Sequence, residues 1–323
     1  MELFRFIFVM KRNDLGGFKM DITLLERNAE VLRQTAGKWV DKRLVLLTAA
    51  QFAARNELIN GQEYMNFSVK LKKAGSFFSP LRTIHFPMAG LLLSKEGDPD
   101  EMITHLQKRY ETLRSAGLRS SPYTYIAAFL LDSSTHPERI KNIYNEMKRF
   151  HVFLTSNEDY PAAVVMANRS ESVTDLVDAS EAYYRFFNNH GFWKGNDLQF
   201  LANMLAANGL YNEKTAEAVL NVKQEFEKNG LKIKGMHYPA VGMMALSDDI
   251  EECVQTALAL RHSPALKWSK EMAVTLASIF ASQAMIESAA GLTAAVQAMI
   301  QSQQAVLAAS TASAVAASSS TGS

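Results

Sequence analysis

The sequence predicts an all-α fold: helical hairpins repeated into a curved or closed, α-solenoid-like array, with a long helix at the carboxy end. Three observations predict it. Glycines suited to ending helices fall at Gly37, Gly75, Gly117, Gly191 and Gly230, separated by 38, 42, 74 and 39 residues. The longest interval is close to two periods, and His151 stands where the missing stop is due. An aromatic then opens a small, apolar segment in Phe86-Pro87-Met88-Ala89, Tyr125-Ile126-Ala127-Ala128, Tyr160-Pro161-Ala162-Ala163, Phe200-Leu201-Ala202 and Tyr238-Pro239-Ala240, at spacings of 39, 35, 40 and 38. Third, no stretch shows the two-residue alternation of a strand or a strand-turn-strand signature. Two landmarks sharing one period of about 39 residues mark helical hairpins, which hide their apolar faces only by stacking on their neighbours.

In chain order, residues 1–19 form an amino-terminal extension. Leu3-Phe4-Arg5-Phe6-Ile7-Phe8-Val9-Met10 is too short to span a bilayer, and lacks the small-residue cleavage site of a signal peptide. Residues 20–282 form the repeat domain, read as about six hairpins. Its short helices are apolar nearly all round, as in Ala162-Ala163-Val164-Val165-Met166-Ala167 and Met243-Met244-Ala245-Leu246. Such helices must be covered on every side or line a groove. The longer helices are amphipathic: Met102, Ile103, Leu106, Tyr110 and Leu113 make one stripe, and Ala216, Val219, Leu220 and Phe226 make another. The proline after the aromatic is expected in a first helical turn, where its missing N–H costs nothing.

Residues 283–317 differ in kind. From Ala281 onward there is no Lys, Arg or Asp, while Met285, Leu292, Met299 and Val306 recur every seven residues. This predicts a long helix with a narrow apolar seam, packed on the last hairpin or used for self-association. Residues 318–323 read as a disordered tail.

The composition, 48% hydrophobic and 21% charged, is that of a globular chain. A formal net charge of +1 supplies no global field for nucleic acid or anionic lipid. No membrane partner is expected. The single cysteine, Cys253, excludes an internal disulfide and reads as a small packed side chain, since no cation lies within a helical turn to activate it.

No phosphate-cradling glycine loop, zinc-protease helix, nucleophile elbow or kinase signature is present, so no catalytic residue and no cofactor is assigned. His85 and His237 share the contexts His85-Phe86-Pro87 and His237-Tyr238-Pro239, and Asp159-Tyr160-Pro161 takes that place between them. By residue type these three could ligate a metal, but only a closed ring could gather positions so far apart along the array. As helix-entry residues, they bond the nearby backbone. Lys70, Lys72, Lys73 and Arg82 form a local basic cluster able to meet a phosphate or an acidic partner, or simply to solvate a helix end. The aromatics Tyr183, Tyr184, Phe186, Phe187, Phe192 and Trp193 are core where buried, and a contact surface where exposed.

Three segments carry a family resemblance: Ser79-Pro80-Leu81-Arg82-Thr83-Ile84-His85-Phe86, Leu154-Thr155-Ser156-Asn157-Glu158-Asp159-Tyr160-Pro161, and the alanine-rich end. They resemble a bacterial, mainly Firmicutes, family, domain of unknown function 4003. The resemblance covers nearly the whole chain after Met20 and implies a bacterial, cytoplasmic setting, with no activity attached. Tyr144-Asn145-Glu146-Met147-Lys148 is similar to the second helix of RNA-reading pentatricopeptide repeats, which keep a stricter period and a more basic groove.

The leading expectation is a non-catalytic binding or scaffold protein that offers a groove of apolar helices to a peptide or protein. Single-stranded RNA binding through the repeats is the first alternative. An enzyme or metal site inside a closed helical ring, using His85, Asp159 and His237, is the second. A homo-oligomer joined through the carboxy-terminal helix is also consistent with the seam.

Overall fold

A computed structural model describes residues 21–37, 40–95, 97–247 and 250–288. Among them are fourteen α-helices and no strand. They run α1 Ile22–Ala36, α2 Lys42–Ala54, α3 Gly61–Ala74, α4 Leu81–Leu92, α5 Pro99–Ser115, α6 Pro122–Leu130 and α7 Pro137–Phe150. There follow α8 Tyr160–Ala167, α9 Val173–Asn189, α10 Asn196–Asn208, α11 Glu213–Lys228, α12 Tyr238–Met244, α13 Ile250–His262 and α14 Met272–Ser288. Short 3-10 turns at Asn157–Asp159, Gly235–His237 and Pro264–Leu266 precede α8, α12 and α14.

The odd-numbered helices lie outside and the even-numbered ones inside. Each odd helix packs on the even helix that follows it, giving seven pairs where the landmarks suggested about six. The even helices touch in chain order from α2 to α14, and α14 packs back on α2, so the inner circuit is closed. At the seam, Ser263 Oγ donates to Glu26 Oε1 at 2.6 Å, and Arg33 Nη2 donates to the Ala265 carbonyl at 3.2 Å. α14 crosses Ser282, where the repeat domain was expected to end. The seam helix proposed over 283–317 lies beyond the described residues after Ser288, as do the extension 1–19 and the tail 318–323.

This layering follows from the two kinds of helix. All residues of α8 and α12 are buried, so these two inner helices are covered on every side. That removes the basis for a groove lined by them. The outer helices bury one stripe each, such as Ile103, Leu106, Tyr110 and Leu113 in α5, and five of them begin at side-chain caps. Asp21, Asn60, Asp98, Ser172 and Asn212 each accept a backbone N–H of the first turn. Four of the five glycine stops, Gly37, Gly117, Gly191 and Gly230, have φ between 73° and 96°, the left-handed geometry that closes a helix. Gly75 ends α3 in extended backbone instead.

Inner helices approach closely where a side chain is missing. A Cβ on Gly242 of α12 would overlap Leu201 and Met204 of α10. One landmark behaves differently from expectation: α4 starts at Leu81, so Pro87 lies inside the helix, whereas Pro161 and Pro239 occupy first turns. Its missing amide leaves the Thr83 carbonyl without the usual helical donor. Cys253 is buried in α13.

Two outcomes follow from closure and close approach. Gly242→Val should lower stability by about 1–3 kcal/mol in chemical denaturation, because the ends of the buried Leu201 and Met204 side chains must shift to admit it. Truncation before Met272 should strip amide-exchange protection from α2, two hundred residues away in sequence; an unchanged α2 would show that the circuit does not depend on α14.

Candidate functional site

In an antiparallel pair every outer helix hands over to its inner partner at the same end of the ring, so the seven outer-to-inner connections share one face. The landmark aromatics build that face from below. Tyr125 Oη lies 2.9 Å from Ser79 Oγ in the connection before α4; Tyr160 Oη accepts the Arg119 N–H at 3.1 Å, and Tyr238 Oη accepts the Trp193 N–H at 3.0 Å. Each therefore ties the mouth of one inner helix to an earlier connection. Its ring packs on a neighbouring aromatic: Phe86 on Tyr64, Tyr125 on Tyr110, Tyr160 on Tyr144, and Tyr238 on Phe192, with centroids 3.9 to 5.1 Å apart. At Tyr125, Tyr160 and Tyr238 the aromatic register is thus a contact between repeats.

The three candidate ligands are not brought together. His237 and Asp159 play one part in two repeats: each closes a 3-10 turn by accepting the backbone N–H three residues back, Lys234 N at 3.1 Å from His237 Nδ1 and Ser156 N at 2.9 Å from Asp159 Oδ2. His237 Nε2 then donates to the Glu271 carbonyl at 3.1 Å, and burial lowers its pKa. His85 differs, lying in the second turn of α4 with Nδ1 2.8 Å from Ser68 Oγ. Burial, helped by nearby Lys72, holds its pKa down to about 4, which keeps it neutral. Among the described residues no three His, Cys, Asp or Glu side chains are grouped to hold a metal ion.

The most polar part of the interior surrounds Asp159. Its Oδ1 accepts from Asn203 Nδ2 at 3.1 Å and Gln199 Nε2 at 3.3 Å; Gln199 Nε2 also reaches Thr155 Oγ1 at 3.1 Å, and Ser180 Oγ donates to Asn203 Oδ1 at 2.6 Å. Burial pushes the Asp159 pKa up to about 7 against the pull of these donors and of the Ser156 amide. Beside it a small cavity, lined in part by His151, Glu181, Gln199 and Asn203, has room for about one water. Gln199 Oε1 is buried there without a hydrogen-bond partner. His151 Nε2 pairs with Glu181 Oε2 at 2.7 Å rather than with Ser180, so the hydroxyl faces an amide and not a base. The cluster fastens the turn before α8 to α9 and α10. Sequence reading named Asp159 but not its partners Gln199 and Asn203, whose signal was two amides at four-residue spacing on an apolar inner helix.

Of the basic candidates, Lys72, Lys73 and Arg82 lie next to the connection before α4, and Lys70 lies a turn further back along α3. Lys70 is paired with Asp100; Lys72 is half-buried near His85; Lys73 is exposed; and the Arg82 guanidinium sits 5.8 Å from the Phe77 ring. What the sequence did not reveal is the company they keep. The connections project Phe77, Phe78, Val152, Phe153, Trp193, Met236 and Trp268 into solvent, with Phe153 fully exposed and Phe78 91% exposed. Among the described residues, every aromatic more than half exposed is on this face. Of the dense aromatic stretch in and after α9, Tyr183, Tyr184, Phe187 and Phe192 are buried and Trp193 is 83% exposed.

Charge is segregated in the same direction. The described parts of these connections expose Arg119, Lys194, Lys232, Lys234, Lys267 and Lys270, against one exposed acid, Glu271. The opposite connections expose Glu57, Asp98 and Asp132 against Lys95. Cations at the ends of the outer helices suit the helix dipole. Dipoles give no reason for bare phenylalanine and tryptophan.

The fold and this site define a closed ring of helical hairpins with one aromatic, basic face. The chain belongs to the family described as "Protein of unknown function (DUF4003)", which matches residues 30–305. It is 27% identical over 308 residues to the uncharacterized protein YeaA of Bacillus subtilis (strain 168), covering 88% of this chain and 92% of that protein. No solved structure matches it.

The raised pKa of Asp159 has a definite sign in stability. Between about pH 4 and pH 7 the unfolded carboxyl has lost its proton while the folded one keeps it, so this residue's contribution falls as pH rises through that window. Melting curves of the wild type and Asp159→Asn should therefore differ most in the wild type's favour near pH 4, with the advantage shrinking towards pH 7.

Proposed function

We propose that this protein is a non-catalytic binding or scaffold protein, and that its docking surface is the face formed by the outer-to-inner connections. The exposed aromatic row carries this reading. Large apolar side chains left in water at the tips of short, well-tied connections cost solvation without adding to the core. Five such rings on one end of the ring, beside cations, favour a contact surface. The groove expected from the apolar helices has no support, since those helices are buried on all sides. The docking surface is thereby moved from the inner helices to their mouths.

Two features favour binding over chemistry. The polar interior is engaged in fastening the turns before α8 and α12, with His85, Asp159 and His237 each bonded to neighbours. The cavity beside Asp159 is water-sized, well below the few hundred Å³ common for a small-molecule site.

The test is fractionation of a native lysate by size and sedimentation, comparing the wild type with Phe78→Ser/Phe153→Ser/Trp193→Ser. These exposed changes should leave thermal stability within about 0.5 kcal/mol. The wild type should travel with a larger or sedimenting assembly and the triple variant as free protein. Identical profiles for two folded proteins would remove the docking reading.

A further inference from the structure

We propose that the connection face docks on an anionic lipid bilayer, with the aromatic tips entering the headgroup region and the neighbouring lysines meeting lipid phosphates. This rests on the reading of that face as a docking surface. It departs from the sequence expectation of no membrane partner, which followed from the near-neutral net charge.

The arrangement matches a flat, anionic partner. Because the inner circuit closes, its connections follow one another around a ring rather than along a cleft. The apolar tips are shared out among separate connections: Phe77 and Phe78 before α4, Phe153 before α8, Trp193 before α10, Met236 before α12 and Trp268 before α14. A strand of nucleic acid needs aromatics lining a continuous track; a bilayer needs them at one depth, and tryptophan in particular settles at the interface.

Each tip has its own cations. Lys72, Lys73 and Arg82 flank Phe77 and Phe78; Lys148 and Arg149 precede Phe153; Lys194 follows Trp193; Lys232 and Lys234 precede Met236; Lys267 and Lys270 bracket Trp268. The Lys267 ammonium lies 5.2 Å from the Trp268 ring. Shallow insertion and electrostatic attraction are individually weak, and stable attachment takes both together. The opposite connections, exposing more acids than cations, would be repelled by the same surface, so the charge pattern sets which end faces the lipid. Among the described residues no helix is long and apolar enough to cross a membrane, and docking of this kind uses no span. Trp39, in the sequence between α1 and α2, lies outside the described residues.

The experiment uses the full chain with unilamellar vesicles of phosphatidylglycerol and phosphatidylcholine in equal parts, and with phosphatidylcholine alone. Binding is read by co-sedimentation and by the blue shift of tryptophan emission. The mixed vesicles should bind at least about tenfold more protein than the neutral ones, and salt near 0.5 M should abolish most of that difference. Trp193→Ser/Trp268→Ser should lose most of the emission shift and about tenfold in partitioning. Lys194→Glu/Lys267→Glu/Lys270→Glu should lose binding to the mixed vesicles, with both variants keeping the wild-type melting curve.

Folded wild type that ignores mixed vesicles overturns the bilayer inference. If it then still enters a lysate assembly that the aromatic variant leaves, the docking reading stands with another partner. Binding of single-stranded poly(U) through the same residues, without vesicle binding, assigns the face to nucleic acid and likewise overturns the inference.

Discussion

Everything in this ring depends on helices that have no side fit to meet water. α8 buries eight consecutive residues and α12 seven. One layer of neighbours cannot cover such a helix, so each needs an outer partner and an inner neighbour on either flank. An open array would leave its terminal inner helices bare on one flank. Packing α14 on α2 supplies the missing cover, and the contacts of Glu26 and Arg33 with the segment after α13 complete it on the outer layer.

Closure also decides where polar chemistry can sit. Once the inner helices are sealed, polar side chains inside must find partners among themselves, since an unpaired one is expensive. Asp159 with Gln199 and Asn203 is one such arrangement, and His237 between Lys234 and Glu271 is another. Their shared place ahead of a Tyr-Pro helix shows two chemically different residues selected for one hydrogen-bonding task. That equivalence gives a carboxyl and an imidazole in the interior the same structural partner, the backbone N–H three residues back. His85 fits the pattern in sequence but not in space, because α4 begins earlier and carries it into a helix.

What remains for contact with the outside is the surface of the outer helices and the two rims. The rims are chemically opposite. Every outer helix except α9 ends in a cation at one rim, and all begin with capping or first-turn acids at the other, which the helix dipole favours. Repetition with constant direction adds those preferences instead of cancelling them, so a chain of net charge +1 becomes a bipolar ring. The bare aromatics lie on the basic rim, and helix geometry, which accounts for the cations, does not account for them.

The sequence by itself determined the all-helical class, the repeat near 39 residues, the alternation of amphipathic with all-apolar helices, and the glycine stops. These are local matters: periodicity, caps and left-handed backbone act within a few residues of one another. The family was legible too, in segments such as Leu154 to Pro161. Only the tertiary structure decided that the array closes, that the apolar helices are sealed instead of lining a groove, and that Phe78, Phe153, Trp193 and Trp268 share one exposed rim. A phenylalanine in a connection reads the same along the chain whether it turns inward or outward. Its direction is set by the neighbours the ring brings to it, and those lie one or more repeats away.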